Sequence, residues 1–223
     1  MSVQRAGQRL IYPAGYDVVS PRGGAAPWWD SAYAAYGPDT AADLTASYTD
    51  LSGNERNLPG TGTPPTHSLG SGWVFVSASS QYLISTINDS AMQSVLIKFS
   101  GVGLLTGSGK FLFGTAITTG TFNGFNIGQI TTNKVFRNGS AALSISGPET
   151  SGVFAIAGQY AYYNGVQLAG TMPNDTRANL AIYIGGRNFG GSASNYVDAA
   201  IAKIAFWTSI LTPGEVAEKT ALM

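Results

Sequence analysis

Short apolar runs separated by turn residues make up most of the chain after residue 90. The runs mix β-branched and aromatic residues and are too short for helices, which is the pattern of strands. They predict strands at 94–99, 111–115, 122–130, 135–137, 142–145, 153–157, 160–163, 180–184 and 197–207. Many short strands with almost no helix predict an all-β fold.

Two Asn-Gly pairs stand between apolar runs, at Asn138-Gly139 and Asn164-Gly165. Asn-Gly readily takes the positive φ angles of a two-residue hairpin turn, and the twist of that turn matches the strands beside it. Both pairs therefore predict hairpins, and neighbouring strands joined in this way are antiparallel.

The end of the chain predicts a strand followed by a short helix. Thr212 as N-cap, Pro213 at the first helical position and Glu215 at the third form a capping box. In the preceding strand side chains alternate between two faces. We expect one set to face the core, namely Ala202, Ile204 and Phe206, and the other set to face away from it, namely Ile201, Lys203, Ala205 and Trp207.

Composition narrows the class of protein. The chain has 223 residues with 44% hydrophobic content, enough for one sandwich domain with a sizeable core. Only 11% of residues are charged, and 12 basic residues balance 12 acidic ones, so no net charge attracts nucleic acid or anionic lipid. The absence of cysteine excludes disulfides. We expect no export signal, because no apolar run of signal-peptide length follows the first ten residues.

Several motifs in order resemble laminin-G-like, concanavalin-A-like jelly-roll domains of phage virion and bacterial surface proteins. They are Asp50-Leu51-Ser52-Gly53-Asn54, Ser79-Ser80-Gln81-Tyr82-Leu83, Tyr162-Tyr163-Asn164-Gly165-Val166 and Gly185-Gly186-Arg187-Asn188. The resemblance implies a two-sheet antiparallel β-sandwich at residues 29–223, closed by a short C-terminal helix. Residues 1–28, rich in Gly and Pro, are then an extended N-terminal arm.

The resemblance also gives the leading functional hypothesis, a non-enzymatic virion structural protein of a tailed phage or phage-like particle. It would be a head, spike or tail decoration module, assembled in the bacterial host cytoplasm, with other virion proteins, copies of itself and host surface polysaccharide as partners. The alternative is a carbohydrate-binding module of a bacterial surface protein. A glycosidase is the third hypothesis.

Catalytic residues are not predicted. A glycosidase needs two carboxylates across the scissile bond, and here Asp89 and Asp198 stand alone in the sequence. His67, the single histidine, lies in a region rich in Gly, Thr and Pro that predicts a surface loop. With no cysteine, thiol nucleophiles are excluded. We therefore expect no enzymatic activity.

Calcium is the one cofactor that the resemblance raises. Family members often carry Asp and Glu in the penultimate strand, where this chain has Ala202 and Lys203. Calcium takes roughly six to eight oxygen ligands, and few carboxylates occur in the loops. The available loop oxygens belong to Asn174, Asp175, Asn195 and Asp198. We expect no cofactor and no metal ligands.

Glycan binding and partner binding each have candidate residues. A sugar site needs aromatic faces beside hydrogen-bonding side chains, and one hairpin and a second loop offer them: Tyr160, Tyr162, Tyr163, Arg187, Asn188 and Tyr196. The alternative is that these tyrosines belong to the core.

A cluster of aromatics at the junction of arm and domain predicts a partner contact: Trp28, Trp29, Tyr33 and Tyr36. We expect the arm to be ordered on another copy or on a virion protein, with Trp28 and Trp29 as anchors. Packing on its own domain is the alternative.

Overall fold

A computed structural model describes residues 26–101, 109–117, 123–130 and 132–223 of the chain. Within these ranges two antiparallel sheets stack as a sandwich. The strands are β1 (Ala34–Tyr36), β2 (Gly62–Thr63), β3 (Thr66–Ser68), β4 (Gly72–Phe75), β5 (Tyr82–Asn88), β6 (Ser94–Ser100), β7 (Lys110–Ala116), β8 (Gly124–Ile130), β9 (Asn133–Gly139), β10 (Ala142–Ser146), β11 (Ser151–Ala157), β12 (Tyr160–Tyr163), β13 (Val166–Gln167), β14 (Ala181–Ile184), β15 (Arg187–Phe189), β16 (Ser192–Ser194) and β17 (Ala199–Trp207).

The first sheet has the order β13-β12-β11-β6-β17-β4-β3. Its long strand β17 pairs with β6 along one side, while on the other side its first half pairs with β4 and its second half with β1. The second sheet has the order β10-β9-β8-β7-β14-β5-β2. The hairpin β15–β16 lies beside β7, where β15 makes the one parallel pairing found among the described strands. The predicted two-sheet antiparallel sandwich is confirmed.

Apolar side chains from both sheets meet in the main core. Aromatic pairs cross between the sheets, with ring centroids of Phe113 and Phe206 5.7 Å apart and those of Phe136 and Phe154 5.2 Å apart, both edge to face. Such contacts add to the free energy of apolar burial that holds the layers together.

A second apolar cluster covers the outer face of the first sheet. Trp28 lies on this face beside Trp207, together with the helix α1 (Pro213–Leu222). The predicted capping box is confirmed, because the Thr212 hydroxyl accepts from the Glu215 amide while the Glu215 carboxylate accepts from the Thr212 amide. The remaining helices are single 3₁₀ turns at Pro38–Thr40, Ala46–Tyr48, Ser77–Ser79 and Asp89–Ala91. No helix in the described part of the chain is long and apolar enough to span a membrane.

The predicted faces of β17 need one correction. The register shifts between Ile201 and Lys203, a β-bulge, so Ile201 joins Ile204 and Phe206 in the main core while Ala202 is left out of it. A bulge inserts one residue and reverses the alternation before it. Ala205 and Trp207 face the second cluster, as expected for the side away from the main core.

Candidate functional site

The outer face of the second sheet is concave because β8 carries small residues there. Phe125 and Ile127 point into the main core, so Gly124, Asn126 and Gly128 lie on the opposite face. A Cβ added at Gly128 would come within 2.6 Å of the Phe111 ring, so only glycine leaves room for that ring. The small residues leave a depression in the sheet surface.

This depression is a cavity of about 290 Å³. Its volume is near the lower end of the roughly 300–1,000 Å³ range of small-molecule sites. The cavity combines apolar walls with two guanidinium groups and two amides. Among the described residues, its lining is Gly109, Phe111, Asn126, Ile130, Val135, Arg137, Arg187 and Asn195.

Arg187, at the start of β15, is held over aromatic rings. Its guanidinium carbon lies 4.7 Å from the centroid of the Phe111 ring and 5.1 Å from that of Phe189. Its Nη2 donates to Asn195 Oδ1 at 2.8 Å. Arg187 remains partly exposed. Stacking and one hydrogen bond thus fix the guanidinium while part of it faces solvent.

Asn195 connects the β15–β16 hairpin to β7. Its Nδ2 donates to Gly109 O at 2.6 Å, and its own carbonyl accepts from the Phe111 amide at 3.0 Å. Its φ of 56° is left-handed, a conformation that Asn tolerates better than most residues. Asn195 therefore positions both Arg187 and the edge of the cavity.

Asn126 contributes a buried acceptor to the cavity lining. Its Nδ2 donates to Thr115 O at 3.0 Å, whereas its Oδ1 has no partner. The Nε of Arg187 is also buried without a partner. Unsatisfied buried polar atoms are uncommon in folded proteins because they cost free energy. Both atoms are shielded from solvent, so they add to the polarity of the cavity wall without being open to a ligand.

The second arginine of the cavity, Arg137, extends from β9. Its Nη1 donates to Ser140 O at 3.0 Å, and its side chain is partly exposed. Burial lowers the pKa of both Arg137 and Arg187, and the nearby charge of Arg137 lowers the pKa of Arg187 further. The repulsion between two cations at one cavity is reduced when an anion binds there.

The structure separates the six residues predicted to bind glycan. Arg187 lines the cavity. Asn188 is 3% exposed, and its Nδ2 donates to Ala181 O while its Oδ1 accepts from the Gly191 amide, so it holds the β15–β16 turn. Tyr196 packs against Tyr82 at 6.0 Å between centroids, on the same sheet as the cavity.

The three tyrosines of β12 lie in the first sheet, away from Arg187. Tyr162 is 1% exposed in the second apolar cluster and has no face left for a sugar. Tyr163 packs on the main core and donates its hydroxyl to Ser151 O. Tyr160 is partly buried against the second cluster. Tyr162 and Tyr163 thus pack in the apolar clusters, which is what the alternative interpretation of these tyrosines expects.

The four predicted partner residues lie in and around the two apolar clusters. Tyr36 is fully buried and donates to Arg56 O, and Trp28 is 5% exposed on the first sheet. Neither presents a surface to a partner, because its own domain already covers it. Trp29 and Tyr33 are partly exposed. Residues 1–25 of the predicted arm lie outside the described residues.

The oxygen ligands considered for calcium are engaged within the protein. Asp175 accepts from the amide and hydroxyl of Ser140, and Asp198 accepts from Ser77 and Lys110. Within the described ranges, no three His, Asp or Glu side chains come together in a way that would hold a metal ion.

His67 belongs to the short strand β3, not to a loop. Its Nε2 makes a 2.8 Å hydrogen bond with Pro38 O.

Sequence alone predicted Arg187 but not Arg137, Asn126 or Phe111. These three residues lie on β9, β8 and β7, and their convergence depends on strand register. One local signal was present in β8, where Gly-Phe-Asn-Ile-Gly alternates small or polar residues with large apolar ones. That alternation gives one face to the core and leaves the other shallow.

No protein-family model and no curated protein matches the chain. Among solved structures, it is similar to Trypanosoma rangeli sialidase in complex with sialic acid, with a TM-score of 0.57 and 13% identity over 96% of this chain and 35% of that one. A mutant of the same sialidase displaying trans-sialidase activity gives a TM-score of 0.56 and 12% identity over 86% of this chain and 33% of that one. The chain therefore spans about a third of these two sialidases.

A leech intramolecular trans-sialidase matches with a TM-score of 0.46 and 14% identity over 60% of this chain, and only 24% of its own chain is covered. The CBM40 of a Ruminococcus gnavus IT-sialidase bound to α2,3-sialyllactose is covered over 84% of its length, but with a TM-score of 0.46 and 13% identity over 59% of this chain. At such low identity the stronger T. rangeli matches show a shared fold, a lectin-like β-sandwich.

Proposed function

We propose that the chain is a carbohydrate-binding module that holds a glycan in the cavity beside Arg187. The observation that carries this proposal is the cavity itself, where the partly exposed guanidinium of Arg187 is fixed over Phe111 beside the partly exposed Arg137. A few placed polar groups within apolar walls are typical of small-molecule sites. A sugar ring offers both kinds of surface, C–H groups for the exposed side chain of Ile130 and oxygens for the guanidinium donors of Arg187 and Arg137.

Structural similarity supports the same proposal. The T. rangeli sialidase that shares the fold is in complex with sialic acid, so the fold occurs within a protein that binds a sugar. Nothing in the comparisons supports a place in a phage particle. The virion role and its particle partners stay predictions from the sequence resemblance, and the carbohydrate-binding alternative is the better supported of the two.

We further propose that the module binds glycan without cleaving it. A glycosidase needs a free carboxylate pair facing the sugar, and no Asp or Glu is among the described residues that line the cavity. Asp198, in the same region, is occupied by Lys110 and Ser77.

The test is binding to a panel of immobilised oligosaccharides with neutral, carboxylated and sulfated members. Substitution Arg187→Gln removes the charge and the fork of donors, and we expect affinity for the retained glycans to fall about tenfold or more, since hydrogen bonds to charged groups contribute about 1.5–3 kcal/mol. The matched control is Tyr160→Ala on the first sheet, which should keep full binding. Bound glycans recovered afterwards should be unchanged in length.

Loss of binding in Tyr160→Ala with full binding in Arg187→Gln would move the site to the first sheet and overturn the proposal. Absence of any retained glycan would overturn it as well. Thermal unfolding of both variants shows whether each keeps the native fold.

A further inference from the structure

The cavity of the second sheet concentrates positive charge in a chain whose formal net charge is zero. Arg137 and Arg187 both line it, and no Asp or Glu is among its described lining. The ion pairs among the described residues use Lys110, Lys134 and Lys203, and none of them uses Arg187. These two guanidinium groups are the charged side chains among the described lining residues, and screening weakens the influence of more distant charges.

The way in which Arg187 is held favours a planar or multi-oxygen anion. The guanidinium is stacked on Phe111 and fastened by Asn195, so its donors are oriented before a ligand arrives. A guanidinium presents donors in a fixed fork that matches the oxygens of a carboxylate or sulfate. Orientation in advance reduces the entropy lost on binding.

We infer that the ligand is a sugar carrying an anionic group, a carboxylate or a sulfate ester, with that group at Arg187 and Arg137. This inference rests on the function proposed above and adds the chemical class of the glycan. The rest of the sugar has matching surfaces in the same cavity. The exposed side chain of Ile130 faces its C–H groups, and the partly exposed amide of Asn195 lies at the edge of the cavity.

The cavity size bears on the length of the ligand. The cavity has a volume of about 290 Å³ and is open to solvent on one side. A volume near the lower end of the small-molecule range suits one sugar unit that carries the anionic group, with any neighbouring sugars outside the cavity.

The experiment compares matched neutral and anionic probes by NMR or calorimetric titration of the whole chain. The probes are lactose with sialyllactose and sulfated lactose, and methyl glucoside with methyl glucuronide. We expect at least one anionic probe to bind about tenfold or more tightly than its neutral partner, a difference that corresponds to one charge-assisted contact. Raising the salt concentration should weaken that binding, because added ions screen the attraction.

Two variants test the role of the guanidinium. Arg187→Gln should abolish the preference for the anionic probe, whereas Arg187→Lys should keep part of it, since lysine preserves the charge but not the fork. Tyr160→Ala serves again as the control with unchanged preference. Comparing the affinities of the sialyl and glucuronide probes with that of the sulfated probe shows whether the anionic group is a carboxylate or a sulfate.

The outcomes separate this inference from the proposed function. If glycans from the panel bind through Arg187 but neutral and anionic partners bind equally, the acidic class is wrong while carbohydrate binding stands. If none of the probes binds, each glycan retained from the panel is scored for acidic groups, and retained glycans without them overturn the inference. If the panel retains nothing, the proposed function fails and this inference fails with it.

Discussion

The Asp50 carboxylate accepts hydrogen bonds from its own loop and from β1. It accepts from the amides of Ala35, Ser52 and Arg56 at 2.9, 2.9 and 3.1 Å, and from the Ser52 hydroxyl at 2.8 Å. Asn54 adds a hydrogen bond from its Nδ2 to Ala32 O at 3.0 Å. The Asp50–Asn54 motif thus fastens a loop to β1 in the first sheet. Its role is structural, because Asp50 is 4% exposed.

Substitution Asp50→Ala tests this role. It leaves several amides, including the buried amide of Ala35, without an acceptor, and we expect a loss of about 3 kcal/mol in the free energy of unfolding. The control Asp43→Ala removes an exposed carboxylate that accepts one bond, from the Ala46 amide, and should cost less than about 1 kcal/mol. Urea denaturation measures both. Equal losses in the two variants would contradict the structural role given to Asp50.

The hairpins show which turns are predictable from local sequence. Asn164 and Gly165 have φ of 48° and 79°, and Tyr163 pairs with Val166 across them, so this two-residue hairpin is confirmed. The hairpin predicted at Asn138-Gly139 also forms, between β9 and β10, but its connection has four residues, 138–141, because Arg137 pairs with Ala142; Asn138 and Gly139 still pair with β8. The Asn138 side chain is fully buried and donates from Nδ2 to Gly158 O at 2.6 Å. This contact with a distant loop accompanies the longer connection in place of a two-residue turn, and sequence spacing does not show such a contact.

The C-terminal helix gives a prediction about capping. Glu215 accepts from the amide and hydroxyl of Thr212 at 2.7 and 2.8 Å, and these hydrogen bonds hold the pKa of Glu215 below its ordinary value. Thr212→Ala should lower the free energy of unfolding by about 1 kcal/mol. A lowered pKa in the folded state stabilises the fold above the ordinary pKa of Glu, and that contribution is lost as pH falls through the lowered pKa.

The wild type should therefore exceed Glu215→Gln in stability at neutral pH, and the difference should shrink below about pH 4. Glu218→Gln, at an exposed position of the same helix, is the control. A difference that grows on acidification would show that the sign of this argument is wrong.

The candidate site was predictable only in part because it is assembled across strands. Arg187 stands in a motif that sequence singles out. Its charged neighbour Arg137 lies far from it in sequence, on β9, and the register of β7, β8 and β9 brings the two together. The β-bulge at Ile201 and Lys203 likewise depends on pairing with β6. Fold class follows from local patterns that recur along the chain. A site that depends on the register of three strands requires the structure.

The first sheet is buried on both faces, and this property decides how the N-terminal tryptophans are interpreted. The second sheet packs on one face of the first sheet and encloses the main core there, while Trp28 and α1 cover Trp207 on the other face. The Trp207 indole Nε1 and the Lys219 ammonium both donate to Asp30 O, at 3.1 and 3.0 Å. These bonds fasten the turn after Trp28 to the helix and to β17. Trp28 therefore contributes to the domain before any partner is present.

Substitution Trp28→Ala should destabilise the monomer by about 3 kcal/mol or more, because a large buried side chain is removed and a cavity remains. Trp29→Ala should cost clearly less, since the Trp29 side chain is only partly buried. Urea denaturation gives the stabilities, and sedimentation gives the state of association of each variant. The anchor hypothesis makes the opposite prediction, namely unchanged stability and lost self-association for Trp28→Ala. That result would support Trp28 as a partner-binding anchor and contradict its packing on the first sheet.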